Sequence, residues 1–159
     1  LARYEPLLLR YVTYRLGDPS LARDVVQDTF IKAYQNLHSF RTGSPFSSWI
    51  YRIAHNEAIN TIKKETRHRR TDIDSLPDLG YEPRLDELVD TTITNAQMHN
   101  CLRELDSRYQ EVIQLAYLEH MSYENVSDIL HVPVSTVGVW LLRAKAKLRT
   151  ICQKRGVHP

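Results

Sequence analysis

The longest patterned stretch of the chain runs from Leu21 to Ile62. In its first half Val25, Val26, Phe30, Ala33, Tyr34 and Leu37 recur at steps of three and four, which predicts an amphipathic helix with a wide apolar face. Phe46, Trp49, Ile50, Ile53, Ala54, Ile59 and Ile62 repeat that pattern in the second half. The breaker-rich run Ser39-Phe40-Arg41-Thr42-Gly43-Ser44-Pro45 separates them. Upstream, Tyr4, Leu7, Leu8, Tyr11, Val12 and Leu16 predict a first helix closed by Gly17 and Asp18-Pro19, with Ser20 or Asp18 as cap of the next. Downstream, Val89, Ile93, Ala96, Cys101, Leu102 and Leu105 predict a helix that begins near Leu85 or Leu88 and closes near Asp106. Tyr109, Val112, Ile113, Leu115, Ala116 and Leu118 predict a short helix ended by His120-Met121. Ser122 then caps a helix with Val126, Ile129 and Leu130 on its apolar face. After the turn His131-Val132-Pro133, a last helix from about Val134 keeps Val137, Leu141, Ala144, Leu148 and Ile151 in one stripe. Two helices joined by so short a turn are the helix-turn-helix arrangement.

Charge divides this all-α pattern in two. Lys63, Lys64, Arg67, Arg69 and Arg70 form a basic run against the single Glu65. The sign then reverses, with Asp72, Asp74, Asp78, Glu82, Asp86, Glu87 and Asp90 facing only Arg84 while Pro77, Gly80 and Pro83 break regular structure. The expected organisation is therefore a helical domain over 1–65, a flexible acidic linker over 66–84, and a domain over 85–159 that contains the helix-turn-helix.

Four surfaces carry candidate chemistry beyond packing. The Phe40 loop offers a flat apolar ring and the Arg41 guanidinium, the pair that would hold an unstacked base; Phe40 and Phe46 would equally serve as plugs between the two helices. Along the Phe46 to Ile62 helix Tyr51, Arg52, His55, Asn56 and Asn60 form the polar set, and Arg52, Asn56 and Asn60 lie four residues apart on one face, where side-chain amides can read base edges. At the start of the last helix Ser135 and Thr136 have hydroxyls and free backbone amides for phosphate, followed by Arg143, Lys145, Lys147, Arg149, Lys154 and Arg155 with no acid between Gly138 and Arg155. On the second helix Asp24, Gln27 and Asp28 fall away from the apolar stripe and face solvent or a partner.

Composition narrows the field further. A hydrophobic content of 42% with 25% charged residues is that of a globular protein, and the net charge of +2 matters less than its distribution. No apolar run reaches the roughly 20 residues of a membrane span, and Leu1 to Pro6 hold no secretory pattern. Cys101 and Cys152 lack metal-ligand spacing and read as two reduced thiols of a cytoplasmic protein. Scattered histidines, no glycine-rich phosphate loop and no nucleophile with its base argue against an enzyme, and no cofactor is implied.

The run ARDVVQDTFIKAYQNLHSFRTGSPFSSWIYRIAHNEAI resembles the promoter-melting domain of bacterial sigma factors of the extracytoplasmic-function group. LDSRYQEVIQLAYLEHMSYENVSDILHVPVSTVGVWLLRAKAKLR resembles their minus-35 domain. The resemblance implies a subunit without an active site that binds core RNA polymerase and promoter DNA and is often held by an anti-sigma factor. It implies Asp24, Gln27 and Asp28 as the grip on polymerase, and Phe40, Arg41, Thr42, Gly43, Ser44 and Phe46 as the loop capturing a flipped minus-ten base, with Arg52, Asn56 and Asn60 beside it. Ser135, Thr136, Val139, Arg143, Lys145 and Lys147 form the expected minus-35 set. Gly138-Val139-Trp140 stands where the family commonly has an Arg-Ser-Arg-like run, and His131 where a Gly usually ends the preceding helix, so weaker or altered minus-35 recognition is expected. A helix-turn-helix regulator acting without polymerase would leave the Phe40 loop and the Asp24 surface unexplained, and a helical partner-binding protein would bind neither DNA nor polymerase.

Overall fold

A computed structural model describes residues 2–71 and 92–157, and every regular element among them is helical. The chain divides into two compact units, Leu1–Pro83 and Arg84–Pro159. The acidic stretch from Asp72 to Asp90, and with it Leu85, Leu88 and Val89, lies outside the described residues.

The first unit contains α1 (Glu5–Leu16), α2 (Pro19–Gln35) and α3 (Phe46–Thr71), which pack pairwise on one another. Gly17 ends α1 with φ at 69°, the left-handed region that costs a side-chain-free residue nothing, and its N–H reaches the Thr13 carbonyl at 2.8 Å. Of the two candidate caps for α2 it is Asp18 that acts: its carboxylate accepts from Ser20 N at 2.7 Å and Leu21 N at 3.2 Å, with Pro19 in the first turn. The core is built from Leu8, Tyr11 and Val12 of α1, Ala22, Val25, Val26 and Ala33 of α2, and Ile50, Tyr51, Ala54 and Ala58 of α3. Burial of the larger of these side chains contributes roughly 1.5–3 kcal/mol each.

Three expectations change here. Tyr34 is exposed because the buried line of α2 runs through Ala22, Val25, Val26, Thr29 and Ala33 and passes it by, and Leu37 is exposed in the 3-10 turn that follows the end of α2. Thr29 is tolerated in that line because its hydroxyl donates to the Val25 carbonyl at 2.7 Å. Tyr51 and His55, expected on the polar face of α3, are buried instead: the Tyr51 ring packs 5.3 Å from that of Tyr11, whose hydroxyl meets His55 Nδ1 at 3.1 Å. Finally α3 continues to Thr71, so residues 66–71 belong to a helix and not to the expected linker. Lys63, Lys64, Glu65 and Arg67 are good helix formers, and the first proline beyond them is Pro77.

The second unit contains α4 (Thr92–Arg103), α5 (Ser107–Ile113) widening into a π turn at Gln114–Leu118, α6 (Tyr123–Leu130) and α7 (Val134–Lys154). α7 is its spine and packs on α4, α5 and α6 through Val137, Leu141 and Ala144. Opposite them lie Leu102, Leu105, Val112, Ile113, Leu115, Val126 and Ile129. The π turn keeps Leu115 in the core but leaves Tyr117 and Leu118 outside, and Ala96 is exposed as well, against expectation. Cys101 and Cys152, distant in sequence, meet in one buried cluster with Val157, against which Met98, Leu148 and Ile151 pack. Burial, helped by the neighbouring Cys101 thiol, pushes the Cys152 thiol up to about 11, so the pair behaves as small apolar side chains.

Candidate nucleic-acid interface

The loop between α2 and α3 starts with a 3-10 turn at Leu37–Ser39. From there the chain places Phe40 against Phe46 and Trp49, with ring centroids 5.5 and 5.2 Å away, and Phe46 against Trp49 and Tyr4 at 5.4 Å each. Phe40 and Phe46 are half-buried, so both pack as plugs without being fully enclosed. Arg41, Thr42, Gly43 and Ser44 are exposed, and Ser44 N–H closes the turn on the Arg41 carbonyl at 3.0 Å. A Cβ added to Gly43 would meet nothing within 4 Å, so neither crowding nor a left-handed backbone explains glycine there.

α3 carries the loop's surface onward. Arg52 is half-buried and Asn56 and Asn60 are exposed, one helical turn apart, while Trp49, seven residues before Asn56 on the same side, is itself buried. Lys63 follows Asn56 at a further seven and Arg67 follows Asn60 at seven, so both cations rejoin this face. The result is one stripe running from aromatic rings through amides to cations. Lys63 and Arg67 belong to the basic run read from the sequence but lie outside the expected site; their spacing from Asn56 and Asn60 is the signal that adds them to it.

A second surface lies on α2. Asp24, Gln27 and Asp28 are all exposed, and Ile31, 47% exposed, follows Asp24 at seven residues and Gln27 at four. Tyr34, 78% exposed, follows Gln27 at seven. A polar and acidic face with uncovered apolar side chains in its middle has the make-up of a protein contact. On the neighbouring side Lys32 ties α2 to α3 through Glu57 at 2.6 Å.

In the second unit Ser122 caps α6 as expected, accepting from Asn125 N at 3.2 Å. His131 ends α6 with φ at 55°, in the left-handed conformation a glycine would adopt freely, and its N–H reaches the Ser127 carbonyl. Ser127 in turn donates its hydroxyl to the Val132 carbonyl at 2.6 Å, which fixes the turn. α7 then starts after Pro133 with Ser135 exposed and Thr136 half-exposed. Val139 and Arg143 continue on this outward face, opposite the buried Val137, Leu141 and Ala144.

The two lysines expected beside them do not share that face. Lys145 Nζ sits 4.8 Å above the Tyr117 ring, and a hydrogen bond to that phenol raises the lysine's affinity for its proton. Lys147 Nζ lies 4.8 Å over the Tyr109 ring and 2.7 Å from Asp106, whose carboxyl the bonded ammonium holds below its usual range. Both ammonium groups are turned back toward α5. Arg155 is likewise paired with Glu104. Trp140 is half-buried.

Residues 1–68 match the family described as Sigma-70 region 2, and residues 95–148 the one described as Sigma-70, region 4. RNA polymerase sigma factor YlaC of Bacillus subtilis is 30% identical over 150 residues, covering 92% of this chain and 86% of that protein. The ECF RNA polymerase sigma-E factor of Haemophilus influenzae is 33% identical, covering 92% of this chain and 80% of its own length. Among solved structures, the sigma factor RpoE in complex with the anti-sigma factor NepR from Bartonella quintana has the same fold, with a TM-score of 0.78 at 24% identity over 96% of this chain and 94% of that one. CnrH in complex with the cytosolic domain of CnrY gives a TM-score of 0.67 at 26% identity, covering 96% and 84%.

Proposed function

The chain belongs to the ECF RNA polymerase sigma factors, which direct the core enzyme to promoters, and from that premise we propose how its surfaces divide the work. The α2 face of Asp24, Gln27 and Asp28, with Ile31 and Tyr34 exposed among them, grips core polymerase. The Phe40 loop takes a base of the minus-ten element out of the stack, with Arg41, Thr42, Gly43, Ser44 and Phe46 around it. Arg52, Asn56 and Asn60 hydrogen-bond the extruded base and its neighbours, while Lys63 and Arg67 follow the backbone of the separated strand. In the second unit Ser135, Thr136, Val139 and Arg143 meet the minus-35 duplex. The protein has no catalytic site of its own on this reading, and it works in the cytoplasm with the polymerase.

The observation that carries the reading is the continuous stripe on α3, where rings, amides and cations succeed one another along one helix face. No packing need puts two asparagines in the exposed middle of a helix, where they are mediocre formers. Two solved relatives are bound, one to an anti-sigma factor and one to a cytosolic domain of another protein, which supports an inhibitory partner for this chain too. Tyr117 and Leu118, uncovered beside the π turn, are suitable ground for it.

Reconstitution with core polymerase on a fork-junction promoter tests this. Asn56→Ala removes an exposed side chain and should keep core binding while lowering strand opening about 5-fold to 150-fold, the worth of one lost amide–base pair at roughly 1–3 kcal/mol. Asp28→Arg should do the reverse and weaken assembly with core. Full opening by Asn56→Ala, or unchanged assembly by Asp28→Arg, would refute the corresponding assignment.

A further inference from the structure

The outward face of α7 is unusual for a helix that meets DNA. Ser135, Val139, Leu142 and Ala146 follow one another at steps of four, three and four, and none is charged. Leu142 is 72% exposed and Val139 is 45% exposed, although α7 has an apolar core face of its own that could have absorbed such residues. Arg143 and Arg149 flank the stripe and are exposed, whereas Lys145 and Lys147 are turned back toward α5. The surface is therefore an apolar ridge between two guanidinium groups.

An α-helix with its side chains is about 10–12 Å across, which fits a major groove about 12 Å wide, and Ser135 to Leu142 span about 10 Å along its axis. Within that groove the one apolar feature a base pair presents is the thymine methyl group. The flanking arginines fit phosphates on either side, and the ridge continues the Ser135–Arg143 face already assigned to duplex DNA. Resting on that assignment, we infer that Val139 and Leu142 read thymine by contact with its 5-methyl group, so that the minus-35 preference of this protein is for thymine at the positions they cover. Desolvation of the methyl and of the two side chains replaces the cation contacts that Gly138-Val139-Trp140 does not make. A helix of a protein partner would also cover such a ridge, and the test separates the two.

The experiment uses the full chain with core polymerase and promoter templates enriched by that holoenzyme from a pool randomised in the upstream element. Each upstream thymine is then replaced by deoxyuridine, which deletes the methyl and leaves every hydrogen-bonding group in place. Holoenzyme should bind about fourfold more weakly for each contacted methyl lost, the worth of one buried methylene-sized group. Val139→Ala and Leu142→Ala, both at exposed positions with a good helix former introduced, should bind the thymine template more weakly and lose sensitivity to uracil at one position each. Equal binding of thymine and uracil templates, with dependence on the upstream duplex retained, would overturn the methyl readout and leave the ridge to a protein partner. No dependence on the upstream duplex at all would overturn the minus-35 assignment as well.

Discussion

The two long helices, α3 with 26 residues and α7 with 21, solve opposite problems with the same geometry. Each buries one face against its own unit and turns another outward. On α3 the outward stripe runs from the half-buried Phe46 and the buried Trp49 to amides and cations, which suits bases that have left the helix. On α7 the outward stripe is hydroxyl and aliphatic between arginines, while Lys145 and Lys147 serve the unit itself through Tyr117, Tyr109 and Asp106, and Lys154 in the last turn is exposed. Cations close together in a sequence are thus not equivalent. A lysine that lies over a ring and bonds a carboxylate is already engaged, and charge counting alone overstates what such a helix offers to phosphate.

The sharpest way to break this comparison is to damage each core separately. Ile50→Ala in α3 and Leu141→Ala in α7 remove fully enclosed side chains and should each cost about 2–5 kcal/mol. Followed by domain-resolved hydrogen exchange, each should loosen only its own unit; equal loosening of both units by either change would make them one cooperative block. The two helix ends give a smaller contrast. Gly17 and His131 both sit in the left-handed region, but only His131 carries a Cβ there. His131→Val should cost about 1–2 kcal/mol in thermal unfolding, because a β-branched side chain worsens a strain already present.

Gly138→Ala should act in the other direction. A Cβ there meets nothing within 4 Å and the residue is inside α7, so the change should stabilise the second unit by about 0.5–1 kcal/mol. The finest contrast is between two lysines. Lys63→Ala should reduce the salt dependence of single-strand binding by about 0.7 in log–log slope, whereas Lys147→Ala should leave the salt dependence of promoter binding unchanged. The Asp106–Lys147 pair has a pH signature as well. Its carboxyl is held below the usual range in the folded protein, so the stabilisation it gives is present above the unfolded carboxyl's pKa and is lost as pH falls through the folded one. The native chain should therefore be more stable than Lys147→Ala at neutral pH in thermal unfolding, and the difference should shrink as the pH falls through the acidic range.

Much of this was legible from residue spacing. Helical periodicity located every described helix, Ser122 and Gly17 marked their ends, and Arg52, Asn56 and Asn60 did fall on one face. Polarity by itself misplaces Tyr34, Leu37, Tyr51 and His55, and the basic composition of residues 66–71 hides the end of α3. A tyrosine or histidine with a buried hydrogen-bond partner is at home in a core, and an apolar residue just past the edge of a helix–helix seam is not.

The order of apolar and polar positions by itself determined that this chain is helical, that it holds two families of recognisable runs, and where the amide and basic faces lie along their helices, since these depend only on a repeat of 3.6 residues. Tertiary structure alone decided which lysines are spent on Tyr117, Tyr109 and Asp106, which apolar side chains of α7 and α2 stay uncovered, and that Cys101 meets Cys152. Those outcomes depend on contacts between residues tens of positions apart, and a local pattern carries no information about which distant neighbour will occupy the space beside it.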